Sequence, residues 1–200
     1  IAVSETDAEI LAGKTLTFLS VKFPLRDPEE KICALAAISI DITDWTQARK
    51  LAEALNEINA LIHSTLDFDQ IMNQVTVRAA QAIGVEAFAI ALIEEGRYTF
   101  KYGHNTPAGL VGWSPPLKAM KGILLAQAQN DVVHFDDAYR DERLPQDLIR
   151  RYSIRSLMLA PLTVRGAVIG ALNFYSLTAP GAFSHHQIDF ARKLARSPWP

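Results

Sequence analysis

The chain carries a single cysteine, Cys33, in 200 residues. That excludes an internal disulfide, a cysteine-rich metal site and any chemistry that needs paired thiols, and it suits a reducing, cytoplasmic compartment. A dominant charge is also lacking. Twenty Lys and Arg stand against 22 Asp and Glu, a net −2, so neither nucleic acid nor an anionic membrane is expected as a partner. No apolar run approaches the roughly 20 residues of a membrane span. No secretory leader is recognisable: the chain opens on Ile1 and stops within a helical pattern, at Arg196-Ser-Pro-Trp-Pro200. Both ends are therefore expected to be cuts from a longer protein. There is no P-loop, HExxH or Ser/His/Asp order, and no internal repeat. What the chain does have is an apolar content of 49%, enough for one generous core.

The most informative stretch is 156–176, SLMLAPLTVRGAVIGALNFYS. It predicts two strands, 157–164 and 167–175, joined at Arg165-Gly166, where Gly166 supplies the positive φ of a tight reversal. Both strands are nearly continuous apolar runs, the pattern of strands covered on both faces. Pro161 cannot donate to a ladder, so a bulge or an unpaired side is expected there. Alternation places Asn173 with Ile169, Ala171 and Tyr175 on one face, and Val168, Leu172 and Phe174 on the other. A buried amide needs partners, so one face of this sheet is expected to hold something polar.

Upstream, 4–13 reads as a polar lead in which only Ile10 and Leu11 are candidates for packing, and 16–25 and 32–40 as two strands about an Asp27-Pro-Glu-Glu30 turn. Asp41 and Asp44 are possible caps for a long helix with Leu51, Leu55, Ile58 and Ile62 at spacings of four, three and four. That seam admits two readings: a helix lying on its own domain, or a parallel coiled coil with a second subunit. The second is preferred because the helix joins two domains, so a homodimer through 45–62, and through the terminal helix, is the expectation. Further on, Asp67 opens a helix that Gly84 closes. Strands follow at 85–94, with large Phe88, Ile90 and Leu92 against small Ala87, Ala89 and Ala91, and at 97–103, with Tyr98, Phe100 and Tyr102 on one side. Ser114-Pro-Pro116 is read as an N-cap before a helical stripe. An irregular acidic crossover, a short helix over 144–152 and a last helix opened by Ser184 complete the order. An antiparallel α+β fold closes it most simply, with helices on one face of the sheet and loops or short helices over a pocket on the other.

Residues 67–195 resemble a GAF domain, the ligand-binding module of signalling proteins. The resemblance rests on Asp136-Asp-Ala-Tyr-Arg-Asp141, Tyr152-Ser-Ile-Arg-Ser156, Ala160-Pro-Leu162, Arg165-Gly166, Ile169-Gly-Ala-Leu172 and Ala182-Phe-Ser184. Residues 13–43 are similar to the end of a PAS domain, through Phe23-Pro-Leu-Arg-Asp27 and Asp41-Ile-Thr43. The implied organisation is a PAS-like C-terminal fragment at 1–43, a helical linker at 44–66, and a GAF domain at 67–200, truncated in its last helix. Such a series resembles the sensory half of bacterial histidine kinases in two-component systems, and also that of diguanylate cyclases and phosphodiesterases. This segment itself is expected to be non-catalytic.

The resemblance also constrains the ligand. The GAF cyclic-nucleotide signature runs Asn-Lys, a spacer, then Phe, three residues and Asp-Glu. Asn173 and Phe183 match it, but Phe174 stands for the lysine and Gln187-Ile188 for the acidic pair, so cyclic-nucleotide binding is not expected. A covalent bilin needs a cysteine that 67–195 lacks, and methionine-sulfoxide reduction needs paired thiols. Haem or other iron would fall to His104 or His134, the minority candidates; a lone histidine is more often simply hydrogen-bonded. His185 and His186, adjacent in one helical turn, point apart. What remains is a small-molecule pocket between the sheet face of Asn173 and Tyr175 and the crossover around Phe135, Asp136 and Tyr139. Tyr152 is a possible lid, and Arg155 and Ser156 are possible partners for a carboxylate or phosphate. Arg155 has an alternative role in pairing with Asp136 or Asp137. A ligand-free domain serving as dimerisation spacer and relay is the competing expectation, in which Tyr98, Tyr139 and Tyr152 fill the space.

Overall fold

A computed structural model of the chain describes residues 3–11, 14–63, 67–181, 183–197 and 199. Ala182 of the sequence motif and the side chains of Ile10 and Leu11 lie outside the described residues. The chain forms two compact units, Ile1–Lys50 and Leu51–Pro200.

The first unit holds a three-stranded antiparallel sheet of β1 (Val3–Leu11), β2 (Lys14–Arg26) and β3 (Ile32–Asp41), in that order. The stretch read as a polar lead is thus a strand, in register with β2 from Val3↔Lys22 to Leu11↔Lys14. It misled because its largely polar composition offers no apolar alternation to read. In β2 and β3, Leu19, Val21, Phe23 and Leu25 share a face with Ile40, Ile38, Ala36 and Ala34. Ile38 and Ile40 on that face stay more than half exposed. At the sheet's end, Thr43 Oγ1 accepts from Thr17 N at 2.8 Å, which fixes the start of α1 (Thr43–Ile62).

The boundary between the units falls within α1, and its second half belongs to the larger one. Ile58 is fully buried, Leu51 and Ile62 are nearly so, and Leu55 packs partly against the same cluster. The seam expected to form a coiled coil is therefore engaged in the chain's own core. The spacing was legible; its partner was not, since a coiled-coil seam and the apolar stripe of a core helix differ only in width.

The second unit is a five-stranded antiparallel sheet in the order β5-β4-β8-β7-β6, built from β4 (Ala87–Glu94), β5 (Arg97–His104), β6 (Val133–Phe135), β7 (Ser156–Val164) and β8 (Ala167–Ser176). Two tight turns set its hairpins. Arg165 and Gly166 take φ of 50° and 82°, and Glu95 and Gly96 take 48° and 73°, the double-positive geometry whose twist matches the strands. Pro161 stands opposite Ala171 of β8 and past the end of β6, which pairs only with Leu157–Leu159, and the β7–β8 register shifts just beyond it, at Leu162/Thr163.

One face carries Phe88, Ile90, Met158, Leu172 and Phe174 against α1, α2 (Phe68–Ile83) and α5 (His185–Ala195). Asp67 and Gly84 cap α2, Gly84 at φ 78° donating to Ala80 O, and Ser184 with Gln187 forms a reciprocal cap on α5. The other face carries Ala87, Ala89, Ala91, Tyr98, Phe100, Leu157, Leu159 and Tyr175 beneath α3 (Lys121–Gln129) and α4 (Gln146–Arg151). A bulge beside Ile90 and Ala91 breaks the strand alternation. Tyr102 therefore sits opposite Ile90 on the first face, while Tyr98 and Phe100 stay on the second. The expectation that all three share a side fails because one extra residue reverses every position beyond it. Ser114 caps no helix either. It hydrogen-bonds Arg97 and Thr99, and a single 3-10 turn, Leu117–Ala119, precedes α3.

Candidate functional site

The second sheet face roofs a cavity of about 50 Å³. Tyr98 and Phe100 from β5, Asn173 and Tyr175 from β8, Trp113 from the loop after β5 and Tyr152 beyond α4 line it, with aliphatic side chains between. Among the described residues, none that lines it carries a charge.

Its polar edge is built across three strands. Tyr98 stands on β5 and Asn173 on β8, with β4 between them. The Tyr98 hydroxyl nevertheless donates to Asn173 Oδ1 at 3.0 Å. It reaches that far because, beyond Ile93 at its own register position, the intervening strand presents the small Ala91 and Ala89 on this face. The small residues thus admit an aromatic side chain from the neighbouring strand rather than a closely packed helix. Asn173 Nδ2 donates to Ala89 O and Ala171 O, at 3.3 and 3.1 Å, so the amide expected to need partners has all its donors satisfied. Burial pushes the Tyr98 hydroxyl well above the ordinary phenol range, against the opposing pull of the Asn173 hydrogen bond. Burial first, and then the nearness of Tyr98, raise Tyr175 likewise. Both rings stay neutral at any physiological pH. Among the described residues no hydrogen bond holds the Tyr175 hydroxyl.

Three of the eight candidate residues line the cavity: Tyr152, Asn173 and Tyr175. The other five do structural work. Phe135 is buried beside Gly122, where α3 lies close against Leu159 of β7. Asp136 accepts from His134 Nδ1 at 2.9 Å through its carboxylate and from Ser156 Oγ through its carbonyl. Ser156, fully buried, also accepts from Gly181 N at 2.9 Å, so its hydroxyl knits the crossover to the loop after β8. Tyr139 receives the guanidinium groups of Arg150 and Arg155 over its ring at 4.9 and 4.5 Å. Arg155 pairs with neither Asp136 nor Asp137; those carboxylates are engaged by His134 and Arg140. Its Nε is buried without a partner. The crossover is therefore held together by these contacts beside the cavity rather than lining it. His134 is tied to Asp136, His104 ends β5 opposite Phe88, and no cluster of three ligand-type side chains occurs among the described residues.

Sequence reasoning missed Trp113, Leu110, Met120, Ile123 and Leu148 as lining residues. They come from a loop and from helices whose spacing speaks of core packing alone, so nothing local distinguishes them. Tyr98 and Phe100 had a signal, their position across from the alanines of β4. The crossover is tied to α4 by Gln146 Nε2, which donates to Ala138 O and Asp141 O at 2.9 and 2.8 Å.

Three comparisons place the chain among known proteins. The methanogenesis regulatory histidine kinase FilI of Methanothrix harundinacea is 28% identical over 156 residues; they are 74% of this chain and 16% of that protein, so the chain spans about one sixth of its relative. The GAF domain of an Acinetobacter phosphoenolpyruvate-protein phosphotransferase superposes with a TM-score of 0.61 at 22% identity, covering 76% of this chain and 89% of that one. The corresponding domain from Coxiella burnetii gives 0.66 at 17% identity, covering 74% and 89%. Both structures share the α+β fold described above. The GAF family model matches residues 67–197, well over half of the sequence, and the chain belongs to the GAF domain family.

Proposed function

We propose that this GAF domain senses a small molecule in the cavity and passes its presence to the rest of a longer signalling protein, with a regulatory histidine kinase as the parent. The carrying observation is the cavity itself: a space lined by a sheet whose opposite face holds α1, α2 and α5. A ligand acts here only through different affinities for two arrangements of those elements, and a coupling of about 1–3 kcal/mol is enough to bias an attached effector. The parentage draws on FilI, which is named a regulatory histidine kinase; a diguanylate cyclase or phosphodiesterase is the alternative effector. The first unit is read as the closing strands of a PAS domain. The three-stranded sheet and the Thr17–Thr43 bond at its exit support that reading. A cytoplasmic homodimer using the outer surface of α1 or α5 belongs to the same proposal.

A second reading, a ligand-free relay, has one observation in its favour: 50 Å³ is about a third of the ~150 Å³ cavity that holds a benzene ring. Native mass spectrometry of the freshly purified chain separates the two. The sensing reading expects a mass excess that disappears on denaturation, or a rise in melting temperature with some member of a metabolite library. A bare polypeptide mass and a flat library would leave the relay.

A further inference from the structure

The cavity's chemistry restricts its occupant more tightly than its fold does. With no charged residue among the described lining, an ionised ligand would enter without a counter-charge, at a large desolvation cost. Nor can the two buried tyrosines become anions to offset a cation, since burial holds both in the neutral form. Carboxylates, phosphates and amines are therefore disfavoured as a group.

The polar edge is equally specific. Asn173 spends both N–H groups on backbone carbonyls and receives Tyr98 on its oxygen. The Tyr98 oxygen, having donated its proton, retains acceptor capacity. The Tyr175 hydroxyl lines the same cavity and has neither donor nor acceptor among the described residues. One hydroxyl on a ligand satisfies this edge, because it accepts from Tyr175 and donates to Tyr98. The rest of the lining, including Phe100, Trp113, Leu148 and Ile149, suits an apolar body. We propose that the cavity takes a small uncharged molecule with an apolar body and one hydroxyl, held by Tyr175 and Tyr98. The volume favours a short-chain alcohol over a larger ring. This assignment rests on reading the cavity as the sensing site.

Methionine methyl groups provide the test. The chain has three methionines; Met120 lines the cavity, whereas Met72 and Met158 are buried on the opposite sheet face. Carbon-13 methyl spectra of the full chain are titrated with 1-butanol, sodium butyrate and butylammonium chloride, and the Met120 signal is identified with Met120→Leu. The expected result is a saturable shift of Met120 alone with butanol and none with the two ions at equal concentration. Tyr175→Phe, which keeps the ring, is expected to weaken butanol about threefold to tenfold. A Met120 shift with butyrate or butylammonium of equal affinity overturns the ligand class while leaving the sensing site in place. Unchanged butanol affinity in Tyr175→Phe overturns the hydroxyl recognition. If ethanol, butanol and hexanol all leave Met120 unmoved, the proposal fails. If the native mass is then also that of the bare polypeptide, the sensing reading fails with it.

Discussion

At the residue scale the cavity depends on one pair. Tyr98 and Asn173 are 75 positions apart in sequence, fully buried, and joined by a 3.0 Å hydrogen bond. Removing either partner leaves a buried polar atom unsatisfied, which costs roughly 1–3 kcal/mol. Tyr98→Phe strands Asn173 Oδ1, and Asn173→Ala strands the Tyr98 hydroxyl and takes one donor each from Ala89 O and Ala171 O. Asn173→Ala is therefore expected to lower stability by about 2–3 kcal/mol and Tyr98→Phe by about 1–2 kcal/mol. The double variant should lose about 1 kcal/mol less than their sum. Denaturant titration of the four proteins measures the coupling; strict additivity would mean that the bond contributes nothing. Asn173 was legible as a buried polar residue, because one amide interrupted an apolar strand. Its partner was hidden, since no local pattern reports which aromatic ring crosses an alanine-lined strand.

At the element scale the decisive case is α1. Ile58, at 0% exposure, packs in the same cluster as Val75, Phe174 and Phe190. Ile58→Ala is expected to cost about 3 kcal/mol of the stability of the GAF unit, from lost transfer energy plus the cavity left behind. Calorimetry reads the loss, and sedimentation read alongside it decides the role of the seam. A large fall in melting temperature at unchanged oligomeric state fits the packing seen here; a dimer lost at unchanged melting temperature would return the seam to a subunit interface. The bulge in the β4–β5 pairing teaches the same lesson from the strand side. Alternation assigns faces correctly only up to the first extra residue, so Tyr98 and Phe100 reach the cavity while Tyr102 faces α2 and hydrogen-bonds Asp69 at 2.6 Å.

At the scale of the whole molecule, two features govern behaviour in solution. The first unit exposes Ile38, Ile40, Val21 and Leu25 on one sheet face, the kind of apolar patch that marks an interface. The second feature is the burial of tyrosine. Burial raises Tyr98 and Tyr175 well above 10, and Tyr102 is pushed up to about 12, by burial first and then by Asp69. A phenol whose pKa is raised by folding contributes stability that is complete below its unfolded value of about 10 and is lost as pH climbs from there toward the folded value. Each fully buried tyrosine thus removes about 1.4 kcal/mol per pH unit across that window. Unfolding above pH 10 should release Tyr98 and Tyr175 together in tyrosinate absorbance, and Tyr98→Phe should flatten the alkaline decline. Their titration near 10 in the still-folded protein would show that neither is buried.

By itself the sequence determined the α+β class, the central hairpin with its Arg165-Gly166 turn, the caps of α2 and α5, and the two faces of β8. All of these follow from local stereochemistry or from an apolar period within one element. Tertiary structure alone decided that α1 lies on the core, that Ser156 and Arg155 serve the crossover, and that Tyr98 completes the cavity's polar edge. Each of those outcomes depends on which distant surface an element meets. A residue's neighbours in the chain do not report that, because the apolar stripe, the guanidinium and the phenol would look the same in sequence whatever they met.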